Sequence, residues 1–527
     1  MAFEKESIGR RATRTFFASV TGKVLALIIT TVTLIAVARL LGPSSYGVYT
    51  VAIGYSALIG AVAQFGIASY FDRNISYMSY KRDAKGMGQV IGNGYVIIIA
   101  IAIVLMSVGI ALSGYLPGTL LSNSGIKQLT LILVSVDLFF TTIWGASYSA
   151  LIGFGKGRNA SIDLVLLGSV QLIVGVGLIY QGFGVNGAVS GILLGDMLGF
   201  LLTSYHTYSA LKDHGRIMVR LPNISGVRNT LIFALPLAAN NFLLNGVSNF
   251  GVLFLSAFAP AYILGNFGTA LKGLAMMSVV YGTLAIVLIQ SFSTIIHVKK
   301  SRDLQGVYNK TITYSLLLNL PMVAFVAVFS APLIYLLLTS KFSLAPLYLL
   351  LIALGTSIGI MNSFTSSFFV ASGKTGKLMK ISLVAVLIQL FFLVVLVPAY
   401  GAVGAIVALY IIGSITTFAL FARGLLVHFK IKPDYRKLLN LFVANAAMGM
   451  LLLPILMIHG YAIEIALGIA GVLLLYPPLL VLFRAIDSVV LRNVEHLVEM
   501  MPGVRHIVRQ FGRYTGLFIR YFDLDGG

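Results

Sequence analysis

The chain is built almost entirely from apolar stretches long enough to cross a lipid bilayer. A helix needs about 20 mainly apolar residues to traverse roughly 30 Å of hydrocarbon, where no water can satisfy an open backbone. About fourteen such stretches fit the 527 residues. The first six are 17–40, 46–69, 90–112, 129–151, 162–180 and 185–205. The next six are 231–255, 264–288, 314–338, 344–370, 381–398 and 403–421, and 439–458 and 463–483 complete the set. Charged residues make up only 10% of the chain, against about 25% in a soluble domain, so water is not its main solvent. The expected fold class is an all-α polytopic membrane protein.

The formal charge of +21 invites a nucleic-acid reading, but its distribution excludes one. With the N-terminus inside, 32 of the lysines and arginines fall in cytoplasmic segments. Arg39, Lys127 and Lys341 fall outside, and Lys23 and Lys272 fall within spans. This bias is the one that orients membrane helices during insertion, and it places both termini in the cytoplasm of a cell (plasma or inner) membrane. The absence of cysteine rules out disulfides and thiolate chemistry. A twin-arginine-like start, GRRATRTFF, precedes an apolar run of span length, which argues against a cleaved signal.

Self-similarity recurs at a spacing of 218 residues. Gly47 pairs with Gly265, Tyr49 with Phe267, Ala52 with Ala270, Gly155 with Gly373 and Gln171 with Gln389; GVNGAV at Gly184 meets GAVGAI at Gly401 after a one-residue slip. Helices 1–6 and 7–12 are therefore expected to be two parallel six-helix lobes, at 1–207 and 231–424, joined by a cytoplasmic linker at 208–230. A basic loop with helices 13 and 14 follows at 425–484. The tail at 485–527 has apolar residues at helical spacing and arginines at 505, 509 and 513, the pattern of an amphipathic interfacial helix. In transporters built from parallel repeats, substrate passes between the repeats.

An ionisable group at the centre of a membrane helix costs about 2.5 to 3.5 kcal/mol even on insertion scales, so such groups mark function or partnership. Lys23, Lys272, Asp137 and Asp196 lie inside spans, whereas Asp163 is expected near enough to an edge to be hydrated. Asn241, Asn245 and Asn249 are spaced to share one helical face, and Asn241 is the repeat counterpart of Lys23. This favours a polar cavity; the competing role for the amides is interhelical adhesion, and for the lysines snorkelling to an interface. Asp137 and Asp196 suit either a coupling ion or a structural counter-ion role. The seven histidines show no metal-ligand spacing, so neither a metal nor a cofactor is expected. GKT at Gly373 lies between membrane helices rather than after a strand, which removes it as a phosphate loop.

ARLLGPSSYGVYTVA, from Ala38 to Ala52, resembles the A-R-x-L-G-P-x-x-[YF]-G-x-[YF] element of the Wzx-like oligosaccharide and polysaccharide flippases of the multidrug/oligosaccharidyl-lipid/polysaccharide (MOP) superfamily. FGIASYFDRNIS, from Phe65 to Ser76, and LGNFGTALKG, from Leu264 to Gly273, are similar to two further elements, with Phe267 at a usual tyrosine and Lys272 at the basic position. The resemblance implies the MOP-flippase fold. It also implies translocation of a lipid-linked (polyprenyl-phosphate or -diphosphate) oligosaccharide from the cytoplasmic to the outer leaflet, through a cationic cavity, for cell-surface polysaccharide or glycoprotein glycan assembly. The expected partners are the lipid-linked glycan, membrane lipids and glycan-assembly enzymes, with coupling to Na+, H+ or the membrane potential left open.

A diphosphate crossing a membrane needs positive charge on its way, and lysine serves as a point charge for phosphate. Lys23, Arg73 and Lys272 are accordingly expected to hold the headgroup, with Asn241 and Asn245 as hydrogen-bond donors. Arg39 is a fourth candidate, or else a loop anchor. The runner-up is a MATE-like exporter of a small molecule, disfavoured by the lysines. A membrane glycosyltransferase is less favoured still, since the longest outer connection, between Leu112 and Leu129, contains no Asp or Glu. The chain is therefore not expected to be an enzyme.

Overall fold

The computed structural model describes residues 2–63, 66–81, 83–213, 223–273, 304–372 and 374–486. Among these residues there is no strand. Two compact units, Met1–Gly268 and Thr269–Gly527, make up the chain. Nine helical stretches are long and apolar enough to cross a membrane among the described residues.

The first unit contains α1 (Ala2–Ala63), α2 (Ile67–Lys81), α3 (Ala84–Ser113), α4 (Gln128–Gly153), α5 (Gly157–Leu178) and α6 (Gly184–Asp213). After these come α7 (Ile224–Asn241) and α8 (Val247–Ser256). The directions follow from register. Gly175 meets Gly191, Gln171 meets Gly195 and Leu167 meets Gly199, so position sums stay constant and α5 and α6 form an antiparallel hairpin. Thr130 bonds Asn186 and Thr207 bonds the Ser147 carbonyl, a nearly constant offset that runs α4 parallel to α6.

α1 is broken at Gly42, with φ 69° and ψ 172°, ahead of Pro43. Before the break, Gly22 lies on Ser161 and Ile29 on Gly168, parallel to α5; after it, Gly60 lies on Leu138 and, in α2, Ile75 on Gly153, parallel to α4. The two arms of α1 therefore run in opposite directions, as the two expected spans at 17–40 and 46–69 require. A cluster of Phe71, Ile75, Ile91, Ile98, Ala146 and Ala150 holds α2, α3 and α4 together. The Phe71 ring occupies the space where a Cβ on Gly94 would project.

The second unit contains α9 (Leu304–Val328), α10 (Ser330–Leu337), α11 (Ala345–Ala371), α12 (Thr375–Ile406), α13 (Gly413–Phe429), α14 (Tyr435–Leu452) and α15 (Tyr461–Leu482). α12 reverses at Gly401, so that Gly404 returns against Leu396, Gly413 against Gln389 and Gly424 against Ile381. Buried Phe364, Phe368, Phe369 and Phe421 form the aromatic centre of one continuous core. α14 and α15 form the expected C-terminal helix pair, and Tyr476 Oη on α15 donates to the Leu317 carbonyl on α9 at 3.0 Å.

The 218-residue repeat is written in the backbone as well. Lys156 and Lys374 cap the N-termini of α5 and α12 with φ, ψ of −91°, 39° and −93°, 42°. Gly184 and Gly401 turn the two hairpins with 54°, −128° and 55°, −130°, a conformation open to glycine because it lacks a Cβ. Three of the nine apolar stretches, Val24–Ala61, Gly157–Lys212 and Thr375–Phe429, contain these reversals and so hold two antiparallel arms each. Most of the expected span at 264–288, and all but the first two residues of the tail at 485–527, lie outside the described residues.

Candidate functional site

The polar constellation at the heart of the first unit assembles from α4, α5 and α6. Asp137 on α4 and Asp196 on α6 are both buried, at 5% and 6% exposure. A side-chain hydrogen bond joins them, and Asp196 also bonds Thr141. Gln171 Nε2 on α5 donates to Asp196 Oδ1 at 2.9 Å. Two carboxyl groups held this close favour one shared proton over two negative charges. One oxygen of Asp137, Oδ1, is buried without a hydrogen-bond partner in this arrangement. Tyr49, from the second arm of α1, lies near enough for its phenolic hydroxyl to interact with Asp137 electrostatically.

Local sequence explains why these groups converge. Gly195 leaves no room for a Cβ against the Gln171 side chain, so the hairpin closes tightly one residue before Asp196. The second repeat copies the scaffold but not the chemistry. Gly413 sits on Gln389 as Gly195 sits on Gln171, while Ser414 and Gly355 occupy the positions of Asp196 and Asp137. The carboxyl pair is thus present in one copy only of a shared framework.

A second buried carboxylate departs from expectation. Asp163 is fully buried rather than hydrated, at 0% exposure. The returning α6 carries His206 over it, with Nδ1 2.9 Å from the carboxylate. Nothing in the sequence around Asp163 shows this partner, which lies 43 residues away on the opposite arm of the hairpin.

Lys272, in the helical stretch over 261–273, is half-buried. Arg39 is exposed just before the Gly42 break and has interactions of its own. Lys23, Arg73, Asn241 and Asn245 belong to helical backbone in α1, α2, α7 and the turn after α7, and their side chains lie outside the described residues. A π-helical turn, Phe242–Gly246, lies between Asn241 and Asn249, so the α-helical spacing that put three amides on one face is not kept by the backbone. Thr141 and Tyr49 were not legible as partners of the acidic pair. Gln171 was visible only as a repeat position; the hairpin centre near 183 is the signal that sets it opposite 195 and 196.

A chain whose described residues are helical, with paired, repeat-related reversals and buried carboxyl groups inside apolar helices, is a multi-pass membrane protein with the architecture of MOP-superfamily transporters. Solved structures bear this out. The lipid II flippase MurJ in an inward closed conformation superimposes with a TM-score of 0.69 at 17% identity, over 92% of this chain and 99% of that one. A multidrug resistance MATE family transporter of the MOP superfamily, inward-facing, gives 0.64 at 16% identity over 77% and 97%. A MOP superfamily transporter from Pyrococcus furiosus, described as having a binding pocket of reverse polarity, gives 0.54 at 18% identity over 79% and 94%. Residues 36–346 match the family model described as polysaccharide biosynthesis protein, and the chain belongs to that family. No curated protein matches the sequence.

Proposed function

We propose that this protein is a flippase that carries a lipid-linked oligosaccharide from the cytoplasmic to the outer leaflet by alternating access. Membership of a polysaccharide biosynthesis family supports a glycan substrate. The likeness of fold to a lipid II flippase is consistent with a lipid carrier. The observation that carries the reading is Lys272, a half-buried cation within an apolar membrane segment, where an ammonium has little reason to be unless it meets an anion. Lys272, Lys23 and Arg73 would hold the phosphate or diphosphate, and Asn241 and Asn245 would donate hydrogen bonds. Arg39 lies at the outer end of its helix and would meet the headgroup last.

The Asp137–Asp196 pair fits a coupling role in this scheme. The closed pair carries one proton, and opening it toward water would release that proton or exchange it for a cation, so its state would respond to an ion gradient. The charge bias favours both termini on the cytoplasmic side in this scheme. The deciding experiment is translocation of a fluorescent polyprenyl-diphosphate oligosaccharide in proteoliposomes by the wild type, Lys272→Ala and Arg73→Ala. Transport by the wild type and its loss in folded variants is the expected result. Transport untouched by both substitutions removes these residues from the site, and no transport by a folded wild type beside an active control transfers the protein to the exporter reading.

A further inference from the structure

The N-terminus of α12 opens onto a cleft of about 430 Å³ lined by Lys374, Gly376, Lys377, Lys380 and His428, with no carboxylate among the lining residues. Lys374 is held in place. Its Nζ donates to the His428 carbonyl at 2.7 Å and lies 3.9 Å from the centre of the Phe429 ring, which itself is wedged against Phe368 and Phe369. Lys377 and Lys380 are exposed and share one face of α12. The same face continues along the helix as Leu387 at 58% and Phe391 at 63% exposure, an apolar stripe open to lipid in a membrane.

Insertion topology alone does not account for this arrangement. The bias toward cytoplasmic lysine is met by residues in any loop, and it needs no concave cleft. The repeat supplies an internal control. Lys156 caps α5 as Lys374 caps α12, yet the counterparts of Lys377 and Lys380 are Asn159 and Ile162. The second copy therefore carries lysines at two positions that are uncharged in the first, and Gly376 where the first has Arg158, on an otherwise matching backbone at the level where its helix enters the hydrocarbon. Ammonium groups at that depth, directly beneath a lipid-facing stripe, match a lipid whose phosphate sits at the interface and whose chain runs along the helix.

We propose that Lys377 and Lys380, set beside the clamped Lys374, bind the phosphate headgroup of an anionic phospholipid of the cytoplasmic leaflet, with an acyl chain lying on the Leu387–Phe391 face of α12. The site is separate from the residues assigned to the transported molecule and stands whether or not that assignment holds.

The test is native mass spectrometry of the full-length protein in detergent, titrated with phosphatidylglycerol or with phosphatidylcholine of the same chains. Lys377→Gln/Lys380→Gln is compared with Lys310→Gln/Lys432→Gln, two exposed lysines outside the cleft. Monodispersity on size exclusion confirms that each variant is folded. The wild type and the control pair should bind phosphatidylglycerol about tenfold more tightly than phosphatidylcholine, and the cleft variant should lose that preference. An unchanged preference in the cleft variant overturns the proposal. So does displacement of the lipid by equimolar inorganic phosphate, which would make the cleft a simple anion site. Polyprenyl diphosphate binding there more tightly than phosphatidylglycerol would overturn it too, making the cleft an entry site for a substrate.

Discussion

Gly47 and Gly265 cross backbone to backbone, and a Cβ on either would run into main-chain atoms of the other segment. The Cβ of residue 47 would meet the Ala261 carbonyl, and that of residue 265 the Pro43 carbonyl. Pro43 and Ala261 are themselves 218 residues apart, as are Gly47 and Gly265, so the crossing is a small two-fold made of repeat-related positions. This contact explains why the last position of GPSSYG, Gly47, and the first glycine of LGNFG, Gly265, are glycines. Gly47→Ala or Gly265→Ala should therefore destabilise the protein by roughly 1–3 kcal/mol, since neither backbone can yield as a side chain would. Gly145→Ala, where nothing lies within 4 Å of the new Cβ, should be neutral or slightly stabilising. Thermal unfolding in detergent compares the three, and equal midpoints would remove the crossing as a constraint.

His206→Ala should lower the unfolding midpoint strongly, because it strands the fully buried Asp163 without its imidazole partner. Breaking a buried pair by removing one member typically costs about 3–5 kcal/mol. Combining it with Asp163→Asn should recover much of the loss, as a neutral amide is far less costly to bury than a carboxylate. A double variant no better than His206→Ala would mean that packing, and not charge, sets the cost.

Asp137→Asn should fold with near-native stability, because an amide N–H can replace the carboxyl O–H in the bond to Asp196. The same change removes a group able to release a proton. In proteoliposomes the variant should translocate substrate with a response to imposed pH or sodium gradients that is flat compared with the wild type. Gradient-dependent transport retained in the variant would assign the pair a structural role only. Gln171→Ala, by contrast, should keep both carboxyl groups but loosen Asp196, weakening the response without abolishing it.

Tyr476→Phe removes the hydroxyl that ties α15 to the Leu317 carbonyl, and should cost roughly 1–3 kcal/mol while leaving the aromatic ring buried. Pro321 has no N–H to give the Leu317 carbonyl as its i+4 donor, so losing the hydroxyl leaves that buried carbonyl under-satisfied. A drop of several kcal/mol in the unfolding free energy would show that this bond holds the last two helices in place.

Much of the architecture was readable in the chain because the bilayer allows few solutions. Apolar runs of span length must be helices, and the lysine and arginine bias orders them. The 218-residue offset paired Gly47 with Gly265 and, after a one-residue slip, Gly184 with Gly401 from residue identities alone, and the structure shows the first pair in contact and the second turning two hairpins. Individual partners were less accessible. The sequence places Asp163 near a hydrated edge, whereas the structure buries it, and the Asn241–Asn249 spacing implies an unbroken α-helix that the π turn at 242–246 interrupts.

The sequence by itself determined that this is a helical membrane protein with repeated halves, because hydropathy, charge placement and repeat spacing are additive along the chain. It also put Lys272, Asp137 and Asp196 inside apolar segments. Only the tertiary structure decided that Asp137 meets Asp196, that Gln171 and Thr141 hold the pair, that His206 covers Asp163, and that three lysines of α12 share a cleft. Those relationships depend on how antiparallel arms are staggered, and that stagger is fixed by glycine contacts between helices rather than by any local property of the residues they bring together.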